Sequence, residues 1–276
     1  MSNTYIKHDV RIFDKFIDKF ARKYIEQRSA SKIPDIDDIL LTAESLGSGF
    51  DLSQIKSVIQ RNSVAVDPVR ESGQTPQAVK DIYRSDLGEL LTTYYFEEKL
   101  DEKERFIIPA KNISTRERFD MPGRGIDAIG YRIHADGQTE LLIAEAKVSN
   151  QQSNPPSVVD QTDDSIYKSL KNYHDNLNTI QQRLVEYMKY LPKSEMMAIL
   201  CFVIEIESGK TPSITYGCGL VRDYTCTDES RDFGKMRQNA TEFEPGNIHF
   251  AIFSFTEETI ESTVDLFYKR VMELTR

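Results

Sequence analysis

The sequence has no tryptophan, four histidines and three cysteines in 276 residues. Each scarcity removes a class of chemistry. Cys201, Cys218 and Cys226 are odd in number, form no CxxC and have no histidine at zinc-ligand spacing. They read as reduced thiols of a cytoplasmic protein, with pairing of Cys218 and Cys226 as the minor alternative. Cys201 lies in the apolar stretch Ala198 to Ile204 and reads as core. His8, His134, His174 and His249 are scattered, which argues against a zinc hydrolase or a histidine-based nuclease. No GxxxxGK[ST] occurs, so any ATP dependence should belong to a partner. The longest apolar run, Met196 to Ile204, is nine residues, whereas a membrane-spanning helix needs about twenty. The first residues carry no apolar signal core, so export is not expected.

What the chain has is charge, with acid in excess: 35 Lys+Arg against 44 Asp+Glu, a net charge of -9. That balance argues against coating nucleic acid by charge alone. It leaves open an enzyme that cuts nucleic acid at a metal site. The charge is uneven. Residues 1–32 hold eight basic and four acidic side chains, and residues 168–193 hold five basic and two acidic. A solvated face is the plainest reading of both stretches. Lys168, Lys171 and Arg183 are the candidate phosphate contacts.

Periodicity predicts a helix over 10–28 from Phe13, Phe16, Ile17, Phe20 and Tyr24. Shorter helices are expected over 36–46 and 52–59, and a linker or surface loop over 62–80. The expected organisation is therefore a helical N-terminal region, 1–78, and a second domain, 79–276. In the second part Ser85 can cap a helix bearing Leu87, Leu90, Leu91, Tyr94 and Tyr95. Strands follow at 106–109, 126–133 and 140–148, the last two as a hairpin around Gly137. A long helix is predicted from about 160 to 191, stopped by Pro192. A buried strand over 197–206, strands at 214–221 and 248–255, and a helix over 257–274 complete an α/β layer architecture.

The strand 140–148 carries the chemistry. Side chains alternate across a strand, so Leu141, Ile143, Glu145 and Lys147 share one face and Leu142, Ala144, Ala146 and Val148 the other. Both faces begin apolar, so the strand should be central and covered twice. Buried opposite charges then need compensation, by pairing or by a cation with an anionic substrate. Asp127 stands eighteen residues before Glu145 and can meet it at one end of the hairpin. Two carboxylates with the backbone carbonyl of Ala146 make a hard-oxygen site for Mg²⁺ or Mn²⁺. Lys147 would sit beside the ion, where a phosphate and a water meet. Glu89 can join from the preceding helix, near Asp86 and Thr93, although acids near a helix N-terminus are favoured anyway.

Gly125-Ile126-Asp127, then Glu145-Ala146-Lys147, with Glu89 upstream, resembles the PD-(D/E)xK nuclease superfamily. Ile126 replaces the proline of the namesake motif. The stretches RSDLGELLTTYYFEEKL, GRGIDAIGYRI and LLIAEAKVS resemble HamA, the nuclease subunit family of the Hachiman anti-phage defence system. The resemblance implies a restriction-endonuclease-like core with a mixed sheet flanked by helices. It implies a DNase effector bound to a superfamily 2 helicase partner, HamB. By motif, Asp127 and Glu145 would hold metal, Lys147 would be catalytic, and Glu89 would join them. Two alternatives stand beside it: a stand-alone sequence-specific restriction endonuclease, and a silent nuclease fold kept for docking.

Overall fold

The computed structural model describes residues 3–30, 54, 57–58, 77–116, 125–188, 191 and 193–275. The helix expected over 36–46, and most of that expected over 52–59, lie outside the described residues. Among the described residues six strands form one sheet in the order β1-β6-β5-β4-β3-β2. They are β1 (Thr4–Val10), β2 (Ile107–Lys111), β3 (Ala128–Ile133), β4 (Thr139–Ser149), β5 (Ile214–Asp223) and β6 (Asn247–Phe255). β1, β6, β5 and β4 run parallel, while the β3–β4 and β2–β3 pairs are antiparallel. The sheet is mixed and the class α/β, as the sequence predicts.

Helices cover both faces, because β4 and β5 bury apolar side chains both ways. On one face lie α1 (Asp14–Ala30), α2 (Gln77–Tyr94) and α9 (Ile260–Thr275), packed on Leu142, Ala144 and Val221. On the other lie α4 (Ser157–Asp160), α5 (Ile166–Asp175), α6 (Leu177–Met188) and α7 (Lys193–Glu207), packed on Leu141, Ile143 and Tyr216. Two short helices, α3 (Asn112–Thr115) and α8 (Gly234–Gln238), lie between strands.

Several expectations are corrected. The apolar segment 197–206 is not a buried strand but part of α7. Ile199, Phe202 and Ile206 are buried at helical spacing, whereas Met197 and Ile204 are exposed. A short apolar run is compatible with either element, and here the face buried is a helical one. Cys201 is accordingly exposed rather than core, while Cys218 and Cys226 are buried, and all three are free thiols. The long helix over 160–191 is broken into α4, α5 and α6, with Asn176 leaving helical geometry at φ -133°. Its predicted stripe still faces the core: Ile166, Leu170, Ile180, Leu184 and Tyr187 are buried. Helix α2 starts at Gln77, so the predicted loop 62–80 ends inside it and Ser85 is an interior residue, not a cap. The first 30 residues contain a strand as well as a helix, and that strand joins the sheet beside β6.

Candidate active site

The site forms where the sheet loses a neighbour. β3 begins at Ala128, opposite Ala144, and the last residue of β2, Lys111, pairs with that same Ala128. β4 runs on to Ser149 without a strand on that side. Asp127 stands at the mouth of this opening, one residue before β3. Its Oδ2 accepts from the Ala146 N–H at 2.8 Å. The N–H and C=O of one strand residue point to the same edge, so the Ala146 carbonyl faces the opening too. Neighbouring backbone holds Asp127 in place: its own carbonyl accepts from Asn112 N at 2.8 Å, and Tyr187 Oη donates to the Ile126 carbonyl at 3.0 Å.

Glu145 and Lys147 project from the same face of β4. Glu145 is buried and Lys147 partly so. Glu89 arrives from the opposite face, well inside α2. Gly88 allows the approach, since a Cβ there would lie 2.6 Å from Val148 Cγ2. Its position in mid-helix removes the explanation from the helix dipole, which acts on the first turn. Glu89 Oε1 accepts from Asn112 Nδ2 at 3.2 Å and from Ser85 Oγ at 3.3 Å, with Arg116 Nη2 at 3.8 Å. Glu89 Oε2 is buried with no partner among the described residues.

Glu89, Asp127, Glu145 and Lys147 line one cavity of about 740 Å³. Their electrostatics are interdependent. Burial, then the charge of Asp127, holds the Glu145 carboxyl well above the usual range. Burial and Asp127 do the same to Glu89, against the pull of Arg116. Asp127 is raised by burial, although Lys147 and the Ala146 N–H oppose it. The contact between the Asp127 and Glu145 carboxyl groups raises Glu145 and lowers Asp127. Burial disfavours the Lys147 ammonium, but Glu145, Asp127 and Asp164 outweigh it and keep it charged.

Among the described residues no three His, Cys, Asp or Glu groups stand close enough to hold an ion between them. The donor set is narrower: two adjacent carboxylates and a carbonyl, with Glu89 acting on both through its charge. A hard cation such as Mg²⁺ is commonly held by one or two carboxylates and retains several waters. The excess of buried negative charge and the unpartnered Glu89 oxygen fit such an ion.

Of the three proposed phosphate contacts, only Arg183 lines this cavity, beside Gly125. It pairs with Glu186 at 2.6 Å. Lys168 instead donates to the Gln161 carbonyl at 2.8 Å, and Lys171 pairs with Asp175 in its own helix. Asp86 does not reach the cavity. It is fully buried and takes hydrogen bonds from Tyr24, Tyr268 and Arg116. Sequence reasoning did not single out Asn112, Arg116, Asp164 or Tyr173, all of which line the site. Arg116 is buried and bridges Asp86 and Glu89; Arg28 of α1 fixes it by donating to the carbonyls of Ile113 and Arg116.

A family model described as HamA matches residues 7–271, from β1 into α9. No curated protein and no solved structure matches the chain. The match takes in the sheet, the helices on both faces and every residue of the cavity, and the chain belongs to the HamA family of the Hachiman defence system.

Proposed function

We propose that this chain is a metal-dependent deoxyribonuclease, the effector of an anti-phage defence system that works with a superfamily 2 helicase partner. The observation that carries the reading is the convergence of Asp127, Glu145, Glu89 and Lys147 in one cavity at the open edge of β4. Asp127, Glu145 and the Ala146 carbonyl would hold Mg²⁺ or Mn²⁺, with Glu89 acting on the site through its charge. When bound, the ion polarises a phosphoryl oxygen and makes water a better nucleophile.

The chain's own groups do the rest. Lys147 stays protonated and puts a fixed positive charge next to Glu145, where charge grows on a phosphate oxygen. Asp164 sits 3.3 Å from the Lys147 ammonium and limits where it can point. Arg183 offers a second cation at the rim. Affinity for DNA comes mainly from neutralised phosphates. A chain of net charge -9, with Arg116 of the site already engaged by Asp86 and Glu89, therefore holds DNA weakly by itself and gains from a partner that delivers the strand.

The test is incubation of the purified chain with plasmid and linear DNA in Mg²⁺, Mn²⁺ or EDTA, alone and with the helicase. A Glu145→Ala/Lys147→Ala variant runs beside it. Metal-dependent degradation with little sequence preference, lost in the variant, is the expected result. Discrete fragments from one recurring sequence without the partner would favour a stand-alone restriction endonuclease. Intact DNA with the partner present, and no heat of Mn²⁺ binding, would leave a silent docking fold.

A further inference from the structure

A second cavity, of about 570 Å³, lies between β1, the first turns of α1 and the end of α2. Its volume falls within the range of small-ligand sites, roughly 300–1,000 Å³. None of the four residues assigned to cleavage lines it. Its inner walls are aromatic. Phe20, Tyr95 and Phe253 are buried there, and the His8 ring lies 4.9 Å from Tyr95 and 6.1 Å from Phe253. Phe13, 56% exposed, stands at the mouth. Arg11, Lys15, Lys19 and Lys99 also line the mouth; Arg11 is paired with Glu257 and Lys19 with Glu98 at 2.7 Å, which leaves Lys15 and Lys99 as its unpaired cations among the described residues. Asp9 is paired with Lys7 at 2.6 Å.

Two further observations point to an occupant. His8 Nε2 is buried with no hydrogen-bond partner among the described residues. The Tyr95 hydroxyl lies instead 2.9 Å from His249 Nε2. Burial lowers the His8 pKa, so its imidazole is neutral at pH 7 and offers one donor or acceptor. The helix beside the cavity also widens into a π turn, Tyr95–Lys99, a distortion that often marks functional sites.

Aromatic walls with Lys15 and Lys99 at the rim match two parts of a nucleotide, the base face and the phosphate. An acidic peptide would match only the rim. We infer that this cavity binds one nucleotide unit, its base against the aromatic walls and its phosphate at Lys15. The unit comes either from a free nucleotide or from a single strand of DNA. Base stacking on an aromatic side chain is worth about 1–3 kcal/mol per base, and 1.4 kcal/mol is a factor of ten. Removing the Phe13 ring should therefore weaken binding about fivefold or more. The inference does not rest on the nuclease reading.

The experiment uses the full chain in EDTA, so that no cleavage is read. Fluorescence anisotropy follows a labelled oligothymidylate of about twelve nucleotides, within the usual single-strand site sizes. Unlabelled dAMP serves as competitor and labelled polyglutamate as a second probe. Phe13→Ala and Lys15→Glu change exposed side chains, and thermal melts confirm that each variant folds. Met197→Gln, on the exposed face of α7, serves as the control. Oligonucleotide binding weakened about fivefold by each of the first two variants, and not by Met197→Gln, supports the site. Competition by dAMP then identifies free nucleotide as an occupant, and its failure identifies the strand. No binding of either nucleotide probe, binding indifferent to Phe13 and Lys15, or preference for polyglutamate overturns the inference.

Discussion

Replacing Glu145 by Gln should stabilise the metal-free protein, and more so as the pH rises. The folded chain holds the Glu145 carboxyl well above its usual value of 4.5, because it is buried and faces Asp127. Between that value and the raised one, the folded state keeps a proton that the unfolded chain has released. Stability is thus unaffected below about pH 4.5, falls as the pH rises through the window, and is flat again above the folded pKa. One proton corresponds to a slope of about 1.4 kcal/mol per pH unit. Gln keeps the shape and cannot ionise. The difference in unfolding free energy between variant and wild type should therefore grow by up to that amount per unit, or roughly 2–4 °C in Tm. His8, His174 and His249, whose pKa values burial lowers, tilt the curve the other way below their usual 6.5. They are common to both proteins and cancel in the difference. The assay is differential scanning fluorimetry in EDTA across pH 5 to 9, repeated with Mg²⁺. Wild type should gain Tm on adding the ion, and the variant should gain much less. A difference that does not change with pH, or a wild type that is the more stable in EDTA at high pH, would refute the electrostatic account.

Further outcomes follow from the same geometry. Lys147→Met should leave the fold intact by circular dichroism and abolish DNA cleavage. Arg116→Met should cost about 3–5 kcal/mol in urea unfolding, because Asp86 and Glu89 lose their buried counter-charge. Gly219→Ala places a Cβ 1.8 Å from Thr92 Oγ1 and should destabilise by about 1–3 kcal/mol or more, read in the same way. A thiol reagent should titrate one cysteine per native chain, Cys201, and three after unfolding. Met197→Gln, on the exposed face of α7, should change stability by less than about 0.5 kcal/mol.

The cavity's central residues were legible because β4 writes its environment into its own sequence. Leu141 to Ala144 are apolar on both faces, and the charges of Glu145 and Lys147 begin where the neighbouring strand stops. The hairpin was legible from Gly137, which adopts φ 82° in the turn. Arg116 was not legible. A lone arginine in a polar stretch reads as surface, and only the fold brings it to Asp86 and Glu89. β1 was hidden for a different reason. It is an edge strand with half-exposed side chains on both faces, so Thr4–Val10 shows no clean alternation. Helix α7 misled because nine consecutive apolar residues leave the period undefined. The exposure of Met197 and Ile204, and not composition, reveals the helix.

The pairing of β1 with β6 has a consequence for the timing of assembly. The Asn3 side chain accepts from the Ile248 N–H across 245 residues, and β1 runs beside β6 along its full length. Such distant partners are slow to meet. During synthesis the first strand leaves the ribosome at about 5–20 residues per second and waits for its partner with both edges bare. The hairpin of β3 and β4 and helix α2 precede β6 in the chain, so the acidic cluster can gather before the sheet closes. Tyr268, which donates to buried Asp86, arrives later still. Helix α9 therefore completes the network behind Glu89 only after the hairpin and α2 have been made.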